Sequence, residues 1–217
     1  MEPQPIEPEC IMSIGACRIV LCKAATPLRA NFIEQLEDWP EVELIATRST
    51  LKGAIASIAA HPVDLLIADR NLPDGDGLEA IRALRLMQPR ANAMIITTPC
   101  EDQSILEAIE VGASGYLPKT ADRKELLTTI ADLLAGRSRI SAPLARAILK
   151  RLQNGLPVYP ISEASLLTEQ EIAILNAVAE NVTIGELADQ LNMSKKTLPL
   201  HVRSIYRKLR QKPKFNA

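Results

Sequence analysis

Asp69 is the residue of this chain best placed for chemistry. It ends the apolar run Val63-Asp64-Leu65-Leu66-Ile67-Ala68 and opens the turn Asn71-Leu72-Pro73-Asp74-Gly75-Asp76-Gly77. An acid at the carboxyl tip of a buried strand, facing a Gly/Pro loop, stands where open α/β sheets place their ligands. A second chemistry lies at the far end. From Lys195 onward there are eight basic residues and no acid, with Lys195, Lys196, Arg203, Arg207 and Lys208 the first five of them. Cations of that density suit a polyanion such as a nucleic acid.

Both features need elements to position them, and the chain supplies two kinds. In the first part, Ile19 to Cys22, Val42 to Ala46, the Asp69 run, Ala93 to Thr97 and Gly115 to Leu117 read as strands. Between and after them Pro27 to Leu36, Leu51 to Ala60, Leu78 to Met87, Ser104 to Val111 and Lys124 to Leu134 read as helices. Leu28, Phe32 and Leu36, four apart, give the first its apolar face. Five strands alternating with five helices predict an α/β fold, a parallel doubly wound sheet covered on both faces. Ala142 to Leu152 reads as one more helix, and Gln153 to Ser165, with Gly155, Pro157 and Pro160, as a linker.

Three short helices follow. Thr168-Glu169-Gln170-Glu171 has the form of a capping box, with Leu167 and Ile172 as its hydrophobic staple, and Thr183-Ile184-Gly185-Glu186 repeats the device. The third helix can start at Ser194, with Asn192 at a position that suits a left-handed turn, or near Leu198. Leu198, Val202, Ile205 and Leu209 form its apolar stripe, with Lys195, Lys196, Arg203, Arg207 and Lys208 off it.

Composition narrows the function classes. The chain has 217 residues, 47% hydrophobic and 24% charged, which fits one large or two small globular domains. The net charge of −1 hides an asymmetry: from Ile161 onward eight basic and six acidic residues give +2, leaving −3 for the remainder. Cys10, Cys17, Cys22 and Cys100 show neither C-x-x-C spacing nor grouping with histidine, so idle thiols in a reducing cytosol are expected. No apolar run approaches the roughly 20 residues of a spanning helix, so no membrane partner and a cytoplasmic location are expected. The acidic, Pro-rich start, residues 1–16, reads as a disordered lead-in.

Residues 17–138 resemble the receiver domain of bacterial response regulators, through DLLIADRNLPDGDGLEAI, and residues 166–217 resemble a LuxR-type helix-turn-helix. The second resemblance rests on L-T-E-Q-E-I, E-L-A-D-Q-L-N-M-S and T-L-P-L-H-V-R-S-I-Y-R-K-L. Together they are similar to transcriptional regulators of the NarL/FixJ class, with residues 139–165 as a helix-containing linker. The resemblance implies a flavodoxin-like, CheY-like receiver followed by a small all-α domain, and a DNA-binding regulator rather than an enzyme. It makes Asp69 the phosphoacceptor position, Thr98 and Lys119 the hydroxyl and ammonium for phosphoryl oxygens, and Tyr116 the aromatic that changes rotamer. A magnesium ion would be shared by Asp69, the Asn71 carbonyl and an acidic pair after the first strand.

That pair is absent. One alignment places Ala24 and Ala25 there, and a shift by one places Lys23 and Ala24. Magnesium demands oxygen ligands in octahedral array, so weak or no metal binding is expected. Lys23, swung inward, would take the cation's place. Pro99 also removes an N–H next to Thr98. A degenerate receiver follows as an expectation, with Asp69 paired to Lys119. A receiver that borrows Asp74 or Glu101 for the metal is the competing case.

In the second half the resemblance puts Lys195, Lys196 and Thr197 on phosphates and Pro199, Leu200 and Arg203 on base edges. Pro199 departs from the family's lysine. From a Ser194 start it costs one helical bond, roughly 3 kcal/mol; from a Leu198 start it does not. The expected partner is double-stranded DNA, with a sensor kinase or partner regulator and a homodimer through the receiver also open. The chain's end after K-L makes a dimer through a further helix an unlooked-for arrangement. A protein-interaction module that binds DNA weakly is the alternative from another class.

Overall fold

The computed structural model of the protein describes residues 16–98, 102–135, 140, 142–153, 167–182, 184–191, 193–194 and 197–210. The first part runs β1 (Cys17–Cys22), α1 (Pro27–Glu37), β2 (Val42–Arg48), α2 (Leu51–Ala60), β3 (Leu65–Asp69), β4 (Asn71–Leu72) and β5 (Gly75–Asp76). It continues with α3 (Gly77–Met87), β6 (Asn92–Thr97), α4 (Asp102–Glu110), β7 (Gly115–Pro118) and α5 (Arg123–Leu134). Then come α6 (Ala142–Gln153), α7 (Glu169–Ala179), α8 (Ile184–Gln190) and α9 (Leu198–Arg210).

The long strands pair in parallel in the order β2-β1-β3-β6-β7. Strand periodicity sends alternate side chains to opposite faces. Val20, Cys22, Leu66, Ala68, Ala93 and Ile95 enter one core, under α2, α3 and α4. Ile19, Leu21, Leu65, Ile67, Met94 and Ile96 enter the other, with Phe32 and Leu36 of α1 and Leu126, Ile130 and Leu133 of α5. Every residue of β3 is buried, as a central parallel strand requires. The predicted doubly wound sheet is therefore the observed one.

Local chemistry fixes the loops at the carboxyl edge. Asp74 accepts from the N–H groups of Leu51 and Lys52 at 2.6 and 3.0 Å, satisfying the start of α2. Asp76 caps α3 through the Leu78 N–H at 2.9 Å. Gly77 is required because a Cβ there would lie 2.0 Å from the Asp69 carbonyl oxygen. These bonds draw the turn after β3, including the two-residue β4–β5 hairpin, closely around Asp69.

The first core continues into the helical part through Leu144 and Ile148 of α6, Ile174 and Leu175 of α7, and Ile205 and Leu209 of α9. Helix α4 is the element they share, for it contacts both α6 and α9. The capping box at Thr168 is present: its oxygen accepts from Glu171 N–H at 3.2 Å while Glu171 accepts from Thr168 N–H at 2.8 Å. The second box, at Thr183, and Asn192 lie outside the described residues. The left-handed residue found here is Asn181, φ 60°, which ends α7. Among the described residues no helix is long and apolar enough to cross a membrane.

Candidate functional site

Sheet register assembles the site. Cys22 of β1 lies opposite Ala68, so the next residue, Lys23, arrives beside Asp69. Thr97 of β6 lies opposite Pro118 of β7, so Thr98 and Lys119 each stand one step past their strands. The Lys119 N–H donates to the Thr97 carbonyl at 2.9 Å and fixes that edge.

Asp69 is 2% exposed and holds two ammonium groups. Lys119 Nζ is 2.9 Å from Oδ1, and Lys23 Nζ is 3.3 Å from Oδ2. Oδ1 also accepts from the Asn71 N–H at 3.2 Å. Lys23 is itself 2% exposed, and its ammonium sits 5.2 Å from the centre of the Phe32 ring, within cation–π range. The lysine is thus held from two sides. Ala24 is half-buried and Ala25 exposed, and neither offers an oxygen ligand from its side chain.

This donor set does not fit magnesium. A hard dication wants several carboxylate or carbonyl oxygens at short range. Here the one central carboxylate is already neutralised by a resident ammonium, and a second cation beside Lys23 Nζ would meet repulsion. Asp74 cannot be borrowed without giving up the two N–H groups that open α2. Glu101 and Pro99 lie outside the described residues. Thr98 is exposed, and Tyr116 is half-buried against the α4 side of the core. The neighbouring Cys22 thiol donates to the Thr50 carbonyl at 3.4 Å and is pushed up to about 12 by burial, with Asp74 and Asp69 adding to the rise. It is no nucleophile at neutral pH.

The second candidate surface is α9. It starts at Leu198, not at Ser194: the Thr197 N–H and hydroxyl both donate to the Ser194 carbonyl, at 2.9 and 2.7 Å. Pro199 is therefore the second helical residue, where a missing N–H costs no intrahelical bond. Thr197's hydroxyl proton is turned to Ser194 rather than outward. Pro199, Arg203 and Arg207 are exposed, and Leu200 is 63% exposed, a large apolar side chain presented to solvent. Lys195 and Lys196 lie outside the described residues.

One expectation fails on this helix. Lys208 does not join the solvent-facing cations; it is buried and donates to Glu171 Oε2 at 2.7 Å. The reason is that Glu171, whose backbone and carboxylate serve the α7 cap, is itself buried and needs a counter-charge. Burial pushes the Glu171 carboxyl up, but Lys208, the Thr168 N–H and Ser204 outweigh it, so it sits below its usual range. The partner could have been suspected from an acid inside a capping box facing an apolar stripe, but spacing in sequence did not reveal it.

An acid at the carboxyl edge of an open α/β sheet, together with helices of which the last presents arginines, fits a receiver joined to a helix-turn-helix. Comparison with known proteins agrees. Residues 25–131 match the response regulator receiver domain, and residues 165–217 match the bacterial regulatory proteins of the luxR family. The activator DevR/DosR of Mycobacterium tuberculosis is 31% identical over 183 residues, covering 84% of this chain and 83% of that protein. The nitrate/nitrite regulator NarP of Escherichia coli is 29% identical over 184 residues, 84% of each. Among solved structures, a LuxR-family two-component regulator from Aurantimonas sp. SI85-9A1 superimposes with a TM-score of 0.58 at 29% identity, covering 64% of this chain and 99% of that one. The regulator ChrA of a heme-sensing system gives 0.50 at 26%, covering 90% of each. The chain belongs to the LuxR-type response regulators, DNA-binding transcription regulators of two-component systems.

Proposed function

We propose that this regulator binds double-stranded DNA through α9 while its receiver, residues 17–138, works without phosphorylation of Asp69. The observation that carries the reading is Lys23 Nζ, buried on Asp69 Oδ2 where the family's metal-binding acids are absent. Phosphoryl transfer to a carboxylate depends on positioning and on cations that neutralise the incoming charge. A lysine can neutralise but cannot bridge acceptor and phosphoryl oxygens as a metal does, and its bond to Asp69 must break before the carboxylate can attack.

The exposed α9 residues support the DNA half. Arg203 has the donors for a bidentate contact to guanine, and Arg207 lies one turn on for a phosphate. The Leu198 start leaves Pro199 harmless to the helix but without a side-chain donor, so one polar base contact is replaced by a surface that is apolar. The partners proposed are DNA, a second copy through the receiver, and a kinase or regulator that recognises the receiver.

The test is a selection of random duplexes on the full chain, followed by salt-dependent binding with and without acetyl phosphate and magnesium. The reading expects an enriched sequence whose affinity is the same in both conditions. Absence of any enriched sequence would instead favour a protein-interaction module.

A further inference from the structure

The pocket around Asp69 holds more donors than the chain supplies acceptors. An ammonium group carries three N–H bonds, and those of Lys23 and Lys119 both turn to the two oxygens of one carboxylate. The Asn71 N–H takes a further share of Oδ1, at 3.2 Å. Lys23 is 2% exposed, and its bond to Oδ2 is long, at 3.3 Å.

A third cation stands beside these two. Arg29 lies on α1 one turn before Phe32, whose ring faces the Lys23 ammonium, and residues three apart share a helix face. Its charge reaches the end of β1, where it opposes the rise of the Cys22 thiol. Arg29 Nε is buried without a hydrogen-bond partner, and among the described residues no acid pairs with its guanidinium. The first turn of α1 contains no acid, and the Thr26 side chain does not cap it. Nearby acids are committed elsewhere. Asp74 accepts from the Leu51 and Lys52 N–H groups, and Asp76 accepts from the Leu78 N–H and pairs with Arg70.

A buried polar group without a partner costs free energy. Three cations around one carboxylate therefore call for a further acceptor that is anionic and carries several oxygens. Ammonium and guanidinium groups both hold such anions through charge-assisted hydrogen bonds. Entry is from the rim, where Thr98 is exposed, the Lys119 side chain is 25% exposed and Arg29 is half-buried; Lys23 forms the floor.

We propose that the Asp69 pocket binds a free phosphate-type oxyanion, held by Lys119 and Arg29 at the rim above the buried Lys23, with neither a metal nor a covalent bond to Asp69. The site rests on the reading that Asp69 takes no phosphoryl group. Asp69 does not repel the ligand, because two ammonium groups already outweigh its charge. Turning the Arg29 fork onto the anion gives its Nε the acceptor that the chain leaves out. Inorganic phosphate and the end group of a small phosphorylated metabolite share this chemistry.

Phosphorus NMR of inorganic phosphate and of glycerol phosphate, each titrated with the full chain in the absence of magnesium, tests the site. The wild type should shift or broaden the resonance saturably. Arg29→Gln should weaken binding on the order of tenfold, the loss of one charge-assisted bond, while Arg123→Gln, an exposed cation outside the pocket, should leave it unchanged. Tighter binding of inorganic phosphate marks the free ion as the ligand, and tighter binding of glycerol phosphate marks a metabolite. No saturable binding to the wild type, or equal binding to Arg29→Gln, overturns the site. Lys119→Gln provides the same comparison if Arg29→Gln does not fold. Intact mass after acetyl phosphate and magnesium separates the two readings: an added phosphoryl group refutes the reading of Asp69, whereas absent binding without such an addition refutes the anion site alone.

Discussion

Asp69 carries one negative charge between two ammonium groups, and that balance reverses the effect of removing it. In a pocket of clustered acids, neutralising one carboxylate relieves repulsion. Here Asp69→Asn strands Lys23, which is buried and has no other carboxylate partner among the described residues. Breaking a buried pair by deleting one partner costs about 3–5 kcal/mol, so urea unfolding of Asp69→Asn should show a loss of that size. A neutral or stabilising result would mean that the lysine is not committed to the acid. At the other end, Leu200 suits the methyl group of a thymine. Replacing thymine by deoxyuridine in a selected duplex should weaken the wild type at one position, and Leu200→Ala should abolish that sensitivity. Arg203→Ala should weaken specific binding by about 1–3 kcal/mol.

At the scale of elements, α7 and α9 are joined by the Glu171–Lys208 pair. Glu171 is held below its usual value of 4.5, so its contribution to stability is present above that pH and is lost as the pH falls through the lower folded value. Lys208→Met removes the chief opponent of burial, which then raises the carboxyl. The sign inverts: the variant should lose stability as the pH rises, readable as urea midpoints at about pH 4 and about pH 7. Lys208→Met should leave the salt dependence of DNA binding unchanged, whereas Arg207→Ala should reduce it. The strands and helices were legible because their periods are regular and because a cap such as Thr168 with Glu171 is local in sequence. The cross-chain pairs were not. Arg85, which donates to the Gly112 carbonyl at 2.9 Å from the end of α3, looks in sequence like any exposed helix cation. The run Ile105-Leu106 with Ala108-Ile109 is apolar around more than one face, a sign that α4 would be covered twice, but sequence does not say by what.

At the scale of the whole molecule, the chain carries two sites, the Asp69 pocket and the exposed face of α9. In the receiver pocket Lys23 and Lys119 both hold Asp69, at 3.3 and 2.9 Å. The missing acids were legible from the residues after β1; the inward turn of Lys23 depended on sheet register and on Phe32 beneath it, which only the fold brings together. The exposed Arg203 and Arg207 of α9 stand on a helix that α4 contacts, as it also contacts α6.

The measurement that bears most directly on this account is intact mass after incubation of the full chain with acetyl phosphate and magnesium. The account predicts no addition of a phosphoryl group to the wild type. A magnesium-dependent addition that disappears in Asp69→Asn would contradict it.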